Sequence, residues 1–161
     1  RQAGARPCWL AYLAVDDVDA TLAAIVADGG KALMPAMDLP VGRIAMVADP
    51  QGAPLYLMKP VPPAGQPAAT STVFDNMRAE HVRWNELCTS DPLAAIDFYA
   101  RHFGWTQEGG LDMGELGQYR FVQHAGVGIG AVMPRPPEMP LSVWQFYIGV
   151  DDIDRAVAAI A

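Results

Sequence analysis

An internal repeat constrains this chain more than any other feature. The stretch WLAYLAVDDVDATLAAI from Trp9 returns 135 residues later as WQFYIGVDDIDRAVAAI from Trp144, with nine of seventeen positions identical. A weaker third copy, NELCTSDPLAAIDFY from Asn85, lays Thr89 on Val15 and Asp91 on Asp17, so the unit recurs about every 70 residues. Such a chain folds as similar modules, each placing the same elements in the same order.

Each copy opens with an apolar run rich in aromatic and branched residues, Cys8 to Val15 and Trp84 to Thr89, the pattern of a buried strand. Cys8 and Cys88 are too few for a disulfide scaffold and read as buried free thiols. A helix follows. In the first unit Val18, Leu22, Ile25 and Val26 share one face, Asp16, Asp17 and Asp19 suit the positive N-terminal end, and Gly29-Gly30 stops it. That acidic cluster reads as capping rather than catalysis. In the second unit Asp91 caps, Pro92 takes the first helical position, Leu93, Ile96 and Phe103 make the core stripe, and Gly104 ends the helix.

Strand signals come next: Lys31 to Met37, Arg43 to Ala48 and Pro54 to Met58, the last two joined by a type I turn at Asp49-Pro50-Gln51-Gly52. The second unit repeats the plan with Trp105 to Met113, Gln118 to His124 and Val127 to Met133, the last pair turning at Ala125-Gly126, while glycines 126, 128 and 130 mark close backbone approach or weak strand packing. The expected organisation is a βαβββ module over 1–60, a Pro/Ala-rich linker over 61–80, a second βαβββ module over 81–135, and the start of a truncated third over 140–161. The class is α+β.

Charge narrows the partners. Eleven Lys plus Arg against eighteen Asp plus Glu give a net charge of -7, which repels phosphate backbones and makes nucleic acid an unsuitable partner. No apolar stretch reaches the roughly 20 residues of a bilayer span, and the N-terminus lacks the order of a signal peptide, so a cytoplasmic protein without membrane contact is expected.

The order of strand, helix and three strands, given twice and begun a third time, resembles the vicinal oxygen chelate superfamily of glyoxalase, bleomycin-resistance and extradiol dioxygenase relatives. WNELCTSDPLAAIDFYARHFGW, from Trp84 to Trp105, looks like the opening of the first module of a pair; WLAYLAVDDVDATLAAIVADGG and DPQGAPLYL look like the second. The resemblance implies tandem modules forming a cupped mixed sheet. The two complete units would pair with each other, across a homodimer, or with a missing module.

In metal-using members the resemblance implies a divalent ion held by His or Gln near the start of each first strand and by Glu on each last strand. Carried over, these positions fall on Leu10, Trp84 and Gln145, then on Tyr56 and near Ile129 or Gly130; only Gln145 could coordinate. His81, His102 and His124 share no ligand spacing. The expectation is therefore no metal and no other cofactor, unless a missing module supplies ligands.

With side chains alternating along each strand, the ligand-side face carries Leu10, Tyr12 and Ala14, then Trp84, Glu86 and Cys88, then Gln145 and Tyr147. Aromatic walls with a few polar tips suit a small organic ligand, and the same aromatics would also serve as core. Glu86 is the best catalytic candidate, because a carboxylate within an apolar strand is costly unless paired, hydrogen-bonded or in use; an ion pair with Arg120 or Arg43 is the competing explanation. The expected function is binding of a small amphipathic or aromatic molecule by Trp84, Glu86, Tyr12, Tyr56, Gln145 and Tyr147. The alternatives are a metal-dependent lyase, isomerase or dioxygenase completed by another module, and a structural or interaction module whose cup is packed solid.

Overall fold

The computed structural model describes residues 8–161. The first unit consists of β1 (Tyr12–Ala14), α1 (Val18–Ala27), β2 (Lys31–Leu39), β3 (Gly42–Ala48) and β4 (Pro54–Pro60). The second consists of β5 (Val82–Thr89), α2 (Pro92–Phe103), β6 (Thr106–Asp112), β7 (Gln118–His124) and β8 (Val127–Pro134), followed by β9 (Val143–Ile148) and α3 (Ile153–Ile160). None of these helices is long and apolar enough to cross a membrane.

The repeated aspartates are helix caps. Asp17, Asp91 and Asp152 each sit in extended backbone and accept a hydrogen bond from the amide three residues on, Ala20, Ala94 and Arg155, at 3.0, 3.1 and 2.9 Å. Such a cap is worth ~1 kcal/mol, which accounts for the Asp recurring in every copy. Gly104 closes α2 in the left-handed conformation at φ +66.

Two mixed sheets result. The first runs β1-β4-β3-β2 and the second β6-β7-β8-β5-β9. In each complete unit the opening strand lies parallel to the closing one, β1 to β4 and β5 to β8, and the two intervening connections are antiparallel hairpins. The first unit does not close a sheet with the second. The place beside β5 is taken by β9, antiparallel, with Glu86 opposite Gln145 and Leu87 opposite Trp144.

The units meet through side chains instead. Val18 and Ile25 of α1, Leu55 and Leu57 of β4, Phe98 and Tyr99 of α2, and Trp144 of β9 belong to one buried cluster. Asp28, at the C-terminal end of α1, receives Arg101 at 2.8 Å and His102 at 2.9 Å from the last turn of α2.

Three sequence expectations need correction. The buried face of α2 is Ala95, Phe98 and Tyr99, while Leu93 is 59% exposed: small Ala95 lets the helix settle on the sheet, and the two rings flanking it fill the core. Val26 of α1 is likewise on the outer side. The opening strand of the first unit spans only Tyr12–Ala14, with Cys8 and Trp9 exposed; β4 is its only partner among the described residues, so the apolar run before it has no sheet to enter.

Candidate functional site

Leu87 of β5, Val122 of β7, Val132 of β8 and Trp144 of β9 point to the α2 side and join the core. Alternation then turns Trp84, Glu86 and Cys88, with Tyr119 and Phe121, Ala131 and Met133, and Gln145 and Tyr147, to the opposite face. Among the described residues α2 packs on β5, β6 and β8 from the core side, and Glu86, Cys88, Ala131 and Met133 on this other face are nonetheless all buried, which makes it a cup.

Glu86 is the centre of this cup and is 7% exposed. Its Oε2 accepts from the Tyr147 hydroxyl at 3.1 Å, and its Oε1 accepts from Gln145 Nε2 at 3.4 Å and from the Cys88 thiol at 3.6 Å. Gln145 Nε2 also lies 3.3 Å from Cys88 Sγ. Trp84 Nε1 donates to the Tyr119 hydroxyl at 2.7 Å, and both rings stand edge-on to Phe121 with centroids 6.0 Å away. The partners of Glu86 are therefore neutral.

Electrostatics keep them so. Burial pushes the Cys88 thiol up to about 11, and the nearby Glu86 charge adds to the rise. Burial, again with the Glu86 charge behind it, holds Tyr147 above the ordinary phenol range. Tyr119 is raised chiefly by burial, against a lowering from the Trp84 hydrogen bond and with a further rise from the nearby Glu86 charge. All three remain protonated donors at neutral pH. The arginine pair offered as a structural explanation for Glu86 does not form: Arg43 is held by Asp19 at 2.6 Å and Asp38 at 3.0 Å, and Arg120, opposite Val132, falls on the other face of β7.

Of the six ligand-side residues expected from sequence, Trp84, Glu86, Gln145 and Tyr147 come together here. Tyr12 and Tyr56 do not join them. They pair across β1 and β4 and stack on each other, centroids 4.6 Å apart and 7° from parallel, on the first sheet. The single cup expected thus divides into a polar centre on one sheet and an aromatic pair on the other. Tyr119 and Phe121 were not singled out from sequence; the Ala125-Gly126 turn sets Gln123 opposite Gly128, and a bulge between Val122 and Gln123 then shifts the register by one, which brings Phe121 opposite Ala131 and so beside Glu86.

A hollow of about 510 Å³ lies elsewhere, lined by Cys8, Trp9, Leu10, Pro54 and β9 residues including Phe146 and Ile148; it meets the polar cluster only at Gln145. It is an apolar seam between the first unit and β9. The buried carboxylate and its donors are in the cup, not in this seam.

Among the described residues, the positions that the family resemblance assigns to a divalent ion offer few atoms able to hold one. Trp84 has a ring N–H committed to Tyr119 and no lone pair to offer. At Gly130 a Cβ would lie 2.0 Å from the Asn85 carbonyl oxygen, so no carboxylate side chain can stand there. Cys88 is held as a thiol, and no three His, Cys, Asp or Glu side chains converge among the described residues.

Comparison with known proteins agrees with this architecture. The chain is 33% identical over 160 residues to the glyoxylase-named CFP32 of Mycobacterium tuberculosis (strain CDC 1551 / Oshkosh), an alignment covering 98% of this chain and 58% of that protein. It is 31% identical over 172 residues to the anthracycline biosynthesis protein DnrV of Streptomyces peucetius, covering 97% of this chain and 54% of the relative. The chain thus spans a little over half the length of the curated relatives it matches. A glyoxylase/bleomycin resistance protein/dioxygenase domain from Frankia sp. EAN1pec shares the fold, with a TM-score of 0.50 at 13% identity over 83% of this chain and 100% of that one. Residues 78–161, more than half of the chain, match the family model, and the chain belongs to the Glyoxalase/Bleomycin resistance protein/Dioxygenase superfamily.

Proposed function

We propose that this chain binds a small organic molecule in the cup around Glu86, without a metal. One observation carries the reading: a carboxylate 7% exposed in mid-strand, facing Trp84, Tyr119 and Tyr147 and served by neutral donors. Burying such a charge without a cation costs several kcal/mol, and an aromatic wall beside it supplies apolar contact and ring stacking for a ligand. Tyr147 is 49% exposed and Gln145 is also exposed, so the cup opens to solvent along β9. The name of DnrV supports an aromatic compound as the ligand class.

The setting that suits this activity is the reducing cytoplasm, supported by two unpaired thiols. β1 and β9 each have an edge that no strand among the described residues pairs with, which supports association with a further module or a second copy.

Titrating a library of aromatic and amphipathic compounds while following tryptophan emission tests the proposal. Saturable quenching that disappears in Trp84→Phe is expected, and a flat response across the library counts against it. The glyoxylase name of CFP32 makes lyase chemistry the rival reading. Turnover abolished by a chelator and restored by added metal would establish that rival instead.

A further inference from the structure

We infer that the ligand group received by the Glu86 cup is a positively charged nitrogen, a primary or alkylated ammonium carried on an aromatic or apolar frame. This rests on the reading of the cup as a ligand site and adds its charge preference.

The argument starts from what surrounds Glu86. Tyr147, Gln145 and Cys88 satisfy lone pairs on both carboxylate oxygens but bring no positive charge. No Lys, Arg or His nitrogen among the described residues forms an ion pair with Glu86: Arg43 is held by Asp19 and Asp38, Arg101 by Asp28, and Arg120 falls on the opposite face of β7. The buried charge therefore lacks a compensating cation among the described residues, a condition a ligand ammonium removes.

Ring chemistry points the same way. Trp84 lies across from Tyr147 in the β5–β9 register, and the Trp84–Tyr119 hydrogen bond draws a third ring to the same face. The negative π-faces of aromatic rings attract cations, more strongly where water is excluded, and rings beside a carboxylate form a recognised receptor for substituted ammonium groups. A carboxylate or phosphate ligand would meet Glu86 with no cation in the cup to receive it. The chain's charge of -7 works in the same direction at long range, drawing cations and repelling anions.

Three soluble probes on one phenylethyl frame separate charge from shape: 2-phenylethylammonium, 2-phenylethanol and 3-phenylpropionate, titrated calorimetrically into the 161-residue chain. The ammonium should bind at least about tenfold more tightly than the alcohol, the gap expected of one desolvated cation–π and carboxylate contact. The anion should give no heat. In Glu86→Gln the advantage of ammonium over alcohol should shrink to less than about threefold, while Tyr147→Phe, which keeps the carboxylate, should retain most of it. Thermal unfolding of each variant shows whether it is folded.

Alcohol binding as well as or better than ammonium overturns the charge inference and leaves the cup as a ligand site. An ammonium advantage that persists in folded Glu86→Gln overturns the assignment to Glu86. Silence from all three probes overturns the inference, whereas the ligand-site reading is decided separately by the aromatic library.

Discussion

The hydroxyl of Tyr99 in α2 donates to Asp49 Oδ2 at 3.1 Å and accepts from Trp144 Nε1 at 3.1 Å. One oxygen thus ties together the turn after β3, the helix of the second unit and β9. Asp49 is 1% exposed and also takes the Ala53 amide at 2.8 Å, so this contact anchors the hairpin that carries β4. Trp144 is the neighbour of Gln145, which places the junction next to the cup on the opposite face of the strand.

Replacing Tyr99 by Phe keeps the ring packing against Phe98, Trp105 and Trp144 but strands two buried polar atoms, Asp49 Oδ2 and Trp144 Nε1. Leaving buried groups unsatisfied costs ~1–3 kcal/mol. Urea unfolding should show a loss of that size with an unchanged m-value. A loss below about 0.5 kcal/mol would mean that the hydroxyl contributes no net stability at this junction.

Two carboxyls at the junction should respond oppositely to pH. Asp28 is held below its usual 3.8, first by the Arg101 hydrogen bond and then by His102, so its contribution is present above 3.8 and is lost as pH falls through the lowered folded value. Asp49 is raised above 3.8, chiefly by burial against the lowering of its hydrogen bonds, so its contribution is present below 3.8 and is lost as pH rises through the raised folded value. Urea midpoints measured from about pH 7 down to about pH 3 should therefore diverge. Asp28→Asn should flatten the acid loss of the wild type, and Asp49→Asn should remove a gain on acidification; parallel profiles for all three proteins would refute the assignment.

The two thiols should behave differently for reasons that the apolar strand pattern around both of them conceals. Cys8 is exposed, while Cys88 is buried and pushed up to about 11, burial being the largest cause. Iodoacetamide near pH 8 should label Cys8 in the native protein and Cys88 only in denaturant, by mass spectrometry. Because burial outweighs the Glu86 charge, Glu86→Gln should leave Cys88 protected. Native labelling of Cys88 in that variant would show that the carboxylate, not the packing, shields it.

The order of elements was legible because the repeat states it more than once, and the Asp at each helix start has one physical job in every copy. Glu86 was legible because a carboxylate among Trp84, Leu87 and Cys88 breaks the apolar run. Tyr119 was not, since its place beside Trp84 depends on a one-residue bulge between Val122 and Gln123 that shifts the hairpin register, and no pattern around Tyr119 itself announces it. Tyr12 and Tyr56 occupy repeat-equivalent face positions, yet equivalence within a module does not say which modules share a sheet. The β5–β9 pairing decides that, and it leaves them on the other one.

Gly130 offers the sharpest test of how the cup is built. It sits opposite Asn85 in the parallel β5–β8 pair, where a Cβ would meet the Asn85 carbonyl oxygen at 2.0 Å and its carbonyl carbon at 2.9 Å. Both are backbone atoms, so the strain cannot be relieved by turning a side chain. The Asn85 amide adds a second tie by donating to the Ile129 carbonyl at 2.7 Å. Gly130→Ala must push β8 away from β5 and should cost ~1–3 kcal/mol or more, the range for overpacking a closed interior. Since Glu86 lies opposite Ala131 on the next step of the same pair, the displacement should also weaken binding of any cup ligand. Gly128→Ala, whose Cβ would find only the Trp84 ring at 3.8 Å, should be tolerated in both measurements. Equal stability and ligand binding in the two variants would show that β5 and β8 do not approach as closely as this register requires.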